Sequence, residues 1–368
     1  MALPAPLQRL RSAQQSVWLD FIDRHILDSG ELARLIEDGW LQGMTSNPTI
    51  FAKAITGSDD YDDDLQRIAE SGETDPYAAF VQIAADDIGR AADAFLPIYE
   101  ANARQDGFVS LELPPGIERD TAASVAEAKR LFGLLGRPNI MIKVPGTAEG
   151  LPAVTELIAE GVNVNITLLF AVSTYERVAE AYIEGLERRH AAGLPLDSVA
   201  SVASFFVSRV DTAVDEQLPE DSPLRGRVAI GNSLLAYERF GAIFAGPRWE
   251  ALAAAGARPQ RPLWASTSTK NPAYPDTLYV DQLVVPHTVN TLPLPTIEGF
   301  ADHGDGTALD AARIAEGAAV VAEARAAGVD LDAVTDKLLV DGLASFAADF
   351  ERLLEAIRNA LGAVKAAS

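Results

Sequence analysis

The chain is expected to be an α/β protein of the (β/α)8, or TIM-barrel, class, with extra helices after the sixth strand and at the C-terminus. Three observations predict this. Eight short apolar runs alternate with helical patterns along the 368 residues, and regular βα alternation gives parallel strands joined by right-handed crossovers. Eight repeats favour a closed barrel over an open doubly wound sheet. No Gly-x-Gly-x-x-Gly follows any of the runs, which argues against a dinucleotide-binding sheet.

In order, the runs fall at residues 16–21, 43–47, 108–113, 139–145, 162–170, 199–205, 262–267 and 283–290. Short apolar segments of this kind are what strands buried on both faces look like. Helical spacing fills 31–38, 76–104, 120–135, 150–160 and 174–190. The connection 207–261 is longer than one crossover helix needs and divides into 211–217, 224–240 and 247–255. Beyond the eighth run, 309–326 and 341–361 are again helical in pattern, and should pack on the barrel or across its mouth. The whole of 1–368 therefore reads as one barrel domain, with a helical insertion at about 207–261 and a helical extension at about 293–368.

Charge narrows the partners. A formal net charge of −23 makes nucleic acid and acidic membrane surfaces poor partners. There is no cysteine, which removes disulfides, thiol catalysis and thiolate metal sites. His25, His190, His287 and His303 have no ligand spacing, so no metal and no cofactor is expected. The first residues lack a basic-then-apolar signal pattern, and no apolar run is long enough to span a bilayer, so a cytoplasmic protein is expected.

One lysine stands apart. Lys53, Lys129, Lys337 and Lys365 fall in polar or alanine-rich helical stretches, where a solvated charge is the default, and Lys270 follows a strand in a loop. Lys143 alone sits inside a strand with apolar neighbours on both sides, in Ile140-Met141-Ile142-Lys143-Val144-Pro145. An unpaired ammonium there is costly, and a desolvated lysine responds by giving up its proton. The neutral amine would be a nucleophile for a carbonyl, forming a Schiff base. The structural alternative is a lysine that snorkels to the strand end or pairs with a carboxylate.

Period-two alternation shows what would surround it. Ile140, Ile142 and Val144 face the helices, which turns Lys143 into the lumen. The same parity turns inward Asp20 on the first strand, Thr45 and Asn47 on the second, Ser110 and Glu112 on the third, and Asn163, Asn165 and Thr167 on the fifth. In barrels of this type the active site lies at the strands' C-terminal ends, where these residues would meet. Each has an ordinary explanation taken singly: Asp20 could cap a helix, Asn47 before Pro48 suits a turn, and a Glu112–Lys143 pair could be structural. Together they suit aldol-type cleavage. Lys143 forms the imine, a carboxylate such as Asp20 moves the hydroxyl proton, and Glu112 with Thr167 positions a water. Asn47 and Asn165 hold the substrate hydroxyls.

These residues lie in segments that resemble transaldolase. They are Val17-Trp18-Leu19-Asp20, Thr45-Ser46-Asn47-Pro48-Thr49-Ile50-Phe51, Ile142-Lys143-Val144-Pro145-Gly146-Thr147 and Asn165-Ile166-Thr167-Leu168-Leu169-Phe170. The order continues with 201–209 and with Trp264-Ala265-Ser266-Thr267-Ser268-Thr269-Lys270-Asn271-Pro272. The resemblance implies sugar-phosphate substrates: a dihydroxyacetone unit passes from sedoheptulose 7-phosphate to glyceraldehyde 3-phosphate, giving erythrose 4-phosphate and fructose 6-phosphate in the pentose phosphate pathway. It implies Lys143 as the Schiff-base lysine, Asp20 as acid and base, and Glu112 and Thr167 as holders of the catalytic water. Thr45, Asn47, Asn165 and Ser266 become substrate contacts, and Ser204 and Arg209 a phosphate-binding pair. After the seventh strand many shorter relatives carry an arginine where this chain offers Lys270, a point charge without the bidentate fork. The length and the 207–261 insertion resemble the longer bacterial branch, without the isomerase domain fused to some relatives.

Two other readings are weighed beside this one. A related lyase such as a fructose 6-phosphate aldolase would use the same imine but release free dihydroxyacetone. A non-catalytic sugar-phosphate-binding barrel would keep Ser204 and Arg209, with no use for Lys143 beside Glu112 and Asp20.

Overall fold

Eight strands pair in parallel and close on themselves in sequence order. They are β1 (Gln15–Asp20), β2 (Gly43–Thr45), β3 (Val109–Glu112), β4 (Ile140–Pro145), β5 (Val164–Leu169), β6 (Ser201–Phe206), β7 (Arg261–Ala265) and β8 (Thr288–Leu292). The computed structural model describes residues 3–367, without the side chains of 364–367, so Lys365 lies outside the described side chains. Among the described residues no helix is long and apolar enough to cross a membrane. The (β/α)8 class is as predicted, and the three-helix insertion is present as Ser208–Asp215, Val228–Ile243 and Pro247–Ala254.

Register carries the sequence parity into three dimensions. Lys143 on β4 has Glu112 on β3 and Asn165 on β5 as its lateral partners. Partners in a parallel ladder point the same way, so these three side chains share one row of the lumen. Asp20 likewise pairs with Thr45 across β1 and β2. At the other end the lumen is plugged. Ser16 and Trp18 donate to the two carboxylate oxygens of Asp106, at 2.9 and 3.1 Å, and Arg261 pairs with the same group at 2.9 Å. Trp18 fits because its neighbour on β2 is Gly43: a Cβ there would stand 2.7 Å from the indole ring.

Three elements differ from expectation. The eighth strand begins at Thr288, and the apolar run Leu283-Val284-Val285 precedes it as a buried loop. Pro286 cannot donate to a ladder, and His287 has a left-handed φ of 59° that turns the chain into the strand. In β5 the register shifts between Ile166 and Leu169, and Leu168 adopts φ 59°. Alternation therefore stops at Thr167, and Leu168 leaves the outward-facing set to meet the C-terminal helix at Gly342, where an added Cβ would lie 3.0 Å from its Cδ2. That helix is one piece, Leu331–Ala367, beginning ten residues before the expected 341. It crosses the barrel mouth, packing on the helices Pro48–Gly57 and Asp62–Glu70, and Asp349 accepts a hydrogen bond from Thr49.

The Trp18–Gly43 contact gives a stability prediction. Gly43→Ala forces the indole out of its seat, and overpacking of this kind costs about 1–3 kcal/mol. Urea unfolding should show that loss, and an unchanged midpoint would mean the ring shifts freely.

Candidate active site

A cavity of about 400 Å³ opens at the C-terminal ends of the strands, with Lys143 in its wall. Lys143 is 5% exposed, and its Nζ lies 2.9 Å from the Ser46 carbonyl and 2.9 Å from Glu112 Oε2. The lysine is buried as the sequence implies, but it is not unpaired: both partners are also buried. Across the same cavity Asp20 Oδ1 accepts a 2.7 Å hydrogen bond from Thr45, whose hydroxyl is 2.6 Å from that of Thr291. Burial pushes the carboxyls of both Asp20 and Glu112 above their ordinary values, against the pull of the Lys143 charge. Thr167 is fully buried on the cavity wall, and its hydroxyl has no hydrogen-bond partner among the described residues.

The remaining predicted residues divide into two groups. Thr45, Asn47, Ser204, Arg209, Ser266 and Lys270 all line the cavity. Asn47 also caps the helix Pro48–Gly57 by accepting from Ile50 N at 3.0 Å, so the turn role and the site role coexist. Asn165 and Glu112 stand behind the wall instead. The Asn165 amide donates to Ser110 Oγ at 3.1 Å and accepts from Ser204 at 2.6 Å, bracing the row it shares with Lys143. Glu112 reaches a small adjoining pocket next to Leu343 and Phe346 of the C-terminal helix.

Arg209 is the cation best placed for an anion. Its guanidinium stacks over Phe206, 5.4 Å from the ring centroid, and has no ion-pair partner among the described residues. Burial draws it below its ordinary pKa, while Asp20, Asp349 and Glu112 at longer range oppose this. Its helix, Ser208–Asp215, is pinned by Asp211, which accepts from Ala229 N at 2.7 Å and from the Tyr279 hydroxyl at 3.0 Å. Burial lifts the Asp211 carboxyl to about 7. Ser266 closes this corner: it has φ 56°, its carbonyl accepts from Ser208 N, and its hydroxyl is 3.0 Å from that of Ser208. Lys270 is exposed at the rim.

Sequence reasoning missed several contributors, of which four bear on the chemistry. Lys53, read as a solvated helix residue, lines the cavity one turn into the helix that Asn47 caps. Its neighbour Asn47 was the available signal. Thr291 enters through β8, which was placed several residues too early. Phe346 comes from the C-terminal helix, and Ser46 contributes only a backbone carbonyl. Neither of the last two carries a local sequence signal.

Residues 17–357 match the family model described as transaldolase/fructose-6-phosphate aldolase. A transaldolase from Parafrankia sp. (strain EAN1pec) is 48% identical over 364 residues, covering 97% of this chain and 98% of the relative. One from Thermobifida fusca (strain YX) is 47% identical, covering 98% and 99%, and one from Trichodesmium erythraeum (strain IMS101) is 43% identical, covering 96% and 97%. The chain belongs to the transaldolase/fructose-6-phosphate aldolase family.

Proposed function

We propose that the chain works as a transaldolase through a Schiff base on Lys143. As a transferase of ketone residues it moves a dihydroxyacetone unit from a ketose phosphate to an aldose phosphate, from sedoheptulose 7-phosphate to glyceraldehyde 3-phosphate. This is a step of the pentose phosphate pathway, and a cytoplasmic placement belongs to the same reading, as does treatment of 1–368 as one barrel domain. The observation that carries the proposal is the buried Lys143 Nζ at 2.9 Å from Glu112, in a cavity shared with Asp20.

The amine of Lys143 attacks the ketose C2 carbonyl, and the carbinolamine loses water to give the iminium. Glu112, a carboxyl kept high by burial, takes the ammonium proton and returns one to the departing hydroxyl. Thr167, whose hydroxyl lacks a partner among the described residues, holds that water. Asp20 accepts the proton of the C4 hydroxyl as the C3–C4 bond breaks, and the bonding pair passes into the imine to form an enamine. The aldehyde leaves, an acceptor aldehyde replaces it, and the enamine carbon attacks while Asp20 gives the proton back. Hydrolysis of the new imine frees Lys143.

Binding follows from the rim. Arg209, with Lys270 and Lys53 on the cavity wall, sets a positive field for the phosphate, and Ser204 and Ser266 add hydroxyls. Asn47 caps a helix with its oxygen and offers its amide nitrogen to the dihydroxyacetone end. Asn165 has one amide hydrogen left after Ser110, and acts chiefly by holding Ser204 in place.

Three outcomes test this. Borohydride with fructose 6-phosphate should trap a covalent adduct that Lys143→Ala abolishes, with turnover down about 10³-fold or more and the fold retained; an adduct on another lysine rejects the assignment. Asp20→Asn should slow carbon–carbon cleavage about 10²–10⁴-fold while imine formation persists. Because Asp20 must be ionised and its pKa is raised, kcat/KM should fall with falling pH at values above the ordinary aspartate range of about 3.9. That limb should vanish in Asp20→Asn. Finally, donor consumption should depend on an added aldose phosphate; release of free dihydroxyacetone at the same rate without one would make the enzyme a lyase of the fructose 6-phosphate aldolase kind.

A further inference from the structure

At the opposite end of the barrel from Lys143, the N-terminal ends of the strands enclose a second cavity of about 370 Å³. This volume suits a small organic ligand. Its walls include Phe108, Met141, Val202, Phe240 and Phe244. Met141 and Val202 form its inner end. Met141 precedes Lys143 by two residues, and Val202 is the lateral partner of Asn165. The hydrogen-bonded row Ser110–Asn165–Ser204 separates this cavity from the site above.

The charged and titratable groups on its wall are Arg104, Arg258, Arg261 and His287, with no aspartate or glutamate. The whole chain has 53 acidic and 30 strongly basic residues, so an acid-free wall with three arginines runs against the composition. Two of the arginines already face carboxylates, Arg261 with Asp106 at 2.9 Å and Arg104 with Asp197 at 3.6 Å. Arg258 differs. Among the described residues no carboxylate lies within ion-pair distance of it, and its terminal nitrogens donate to the carbonyls of Ala103 and Asp197 at 2.7 and 2.9 Å. Its Nε is buried and has no acceptor among the described residues. The side chain is part-buried, with the Asp197 charge acting on it at longer range and the Arg104 charge opposing it, so an anion set against it supplies a close counter-charge.

We propose that this cavity is a binding site for a small organic anion, with an oxyanion head at Arg258 and an aromatic body against Phe108, Phe240 and Phe244. The site is separate from the chemistry of Lys143 and does not rest on it. Charge complementarity selects the anion, and the apolar depth selects against inorganic phosphate alone. Occupancy would join the helix Val228–Ile243 to the ends of β4 and β6 through one ligand.

The test is titration calorimetry with 1-naphthyl phosphate, using uncharged 1-naphthol as the control. Gly241 lines the cavity on an exposed stretch of Val228–Ile243, and a Cβ added there meets nothing within 4 Å. Gly241→Trp therefore fills the cavity mouth without disturbing the core. The expected result is one naphthyl phosphate site per chain that survives Arg209→Ala, weakens about tenfold or more in Gly241→Trp and in Arg258→Gln, and prefers the phosphate over 1-naphthol by about tenfold. Loss of binding in Arg209→Ala would assign the ligand to the barrel mouth and overturn the proposal. No binding to the unaltered protein, unchanged binding in Gly241→Trp, or equal binding of 1-naphthol would overturn it too. Thermal melts check each variant, and if Arg258→Gln does not fold, Gly241→Trp and the naphthol control decide.

Discussion

The structure is organised around one buried contact, the ammonium of Lys143 against the carboxylate of Glu112 with the Ser46 carbonyl beside it. Such a pair is not a strong source of stability, since desolvating two ions roughly cancels their attraction. Its presence constrains everything near it. Adjacent strands must hold lysine and glutamate in one lateral row, β2 must bring its backbone to the lysine, and bulk water must be kept out. The closed barrel supplies the first two conditions and the C-terminal helix the third, with Phe346 bordering both the main cavity and the Glu112 pocket.

The two ends of the lumen solve opposite problems. Near the strand N-termini, Ser16, Trp18 and Arg261 converge on Asp106, and every group in that plug has a partner. Near the C-termini polar atoms are left incompletely engaged. Among the described residues Thr167 is an orphan and Arg209 has no counter-ion, and two carboxyls are held above their usual range. Unpaired groups in a cavity wall are those a substrate can engage. The same criterion singles out Arg258 at the lower end, in a cavity that Arg104, Arg261 and His287 also line.

Much of this was legible in the sequence because strands have a strict period of two. That rule alone turned Asp20, Thr45, Glu112, Lys143 and Thr167 toward one another, and the register agrees. It failed where the backbone departs from a plain strand: at Leu168, where a register shift and a left-handed residue break the alternation, and at Pro286-His287, where an apolar run reads as strand but cannot pair. Groups delivered from far along the chain were beyond its reach. Phe346 and Asp349 arrive by tertiary packing of a helix whose pattern says only that it is amphipathic, and Ser46 acts through a main-chain oxygen that every residue possesses.

The helix Leu331–Ala367 has a consequence for how the protein comes into being. Translation delivers the barrel strands first, and the segment that walls off the lysine last. A barrel without this helix docked would lack Phe346 at its mouth and leave the amine open to water. The amine is sealed only when this helix docks, with Gly342 against Leu168 and Asp349 accepting the Thr49 hydrogen bond.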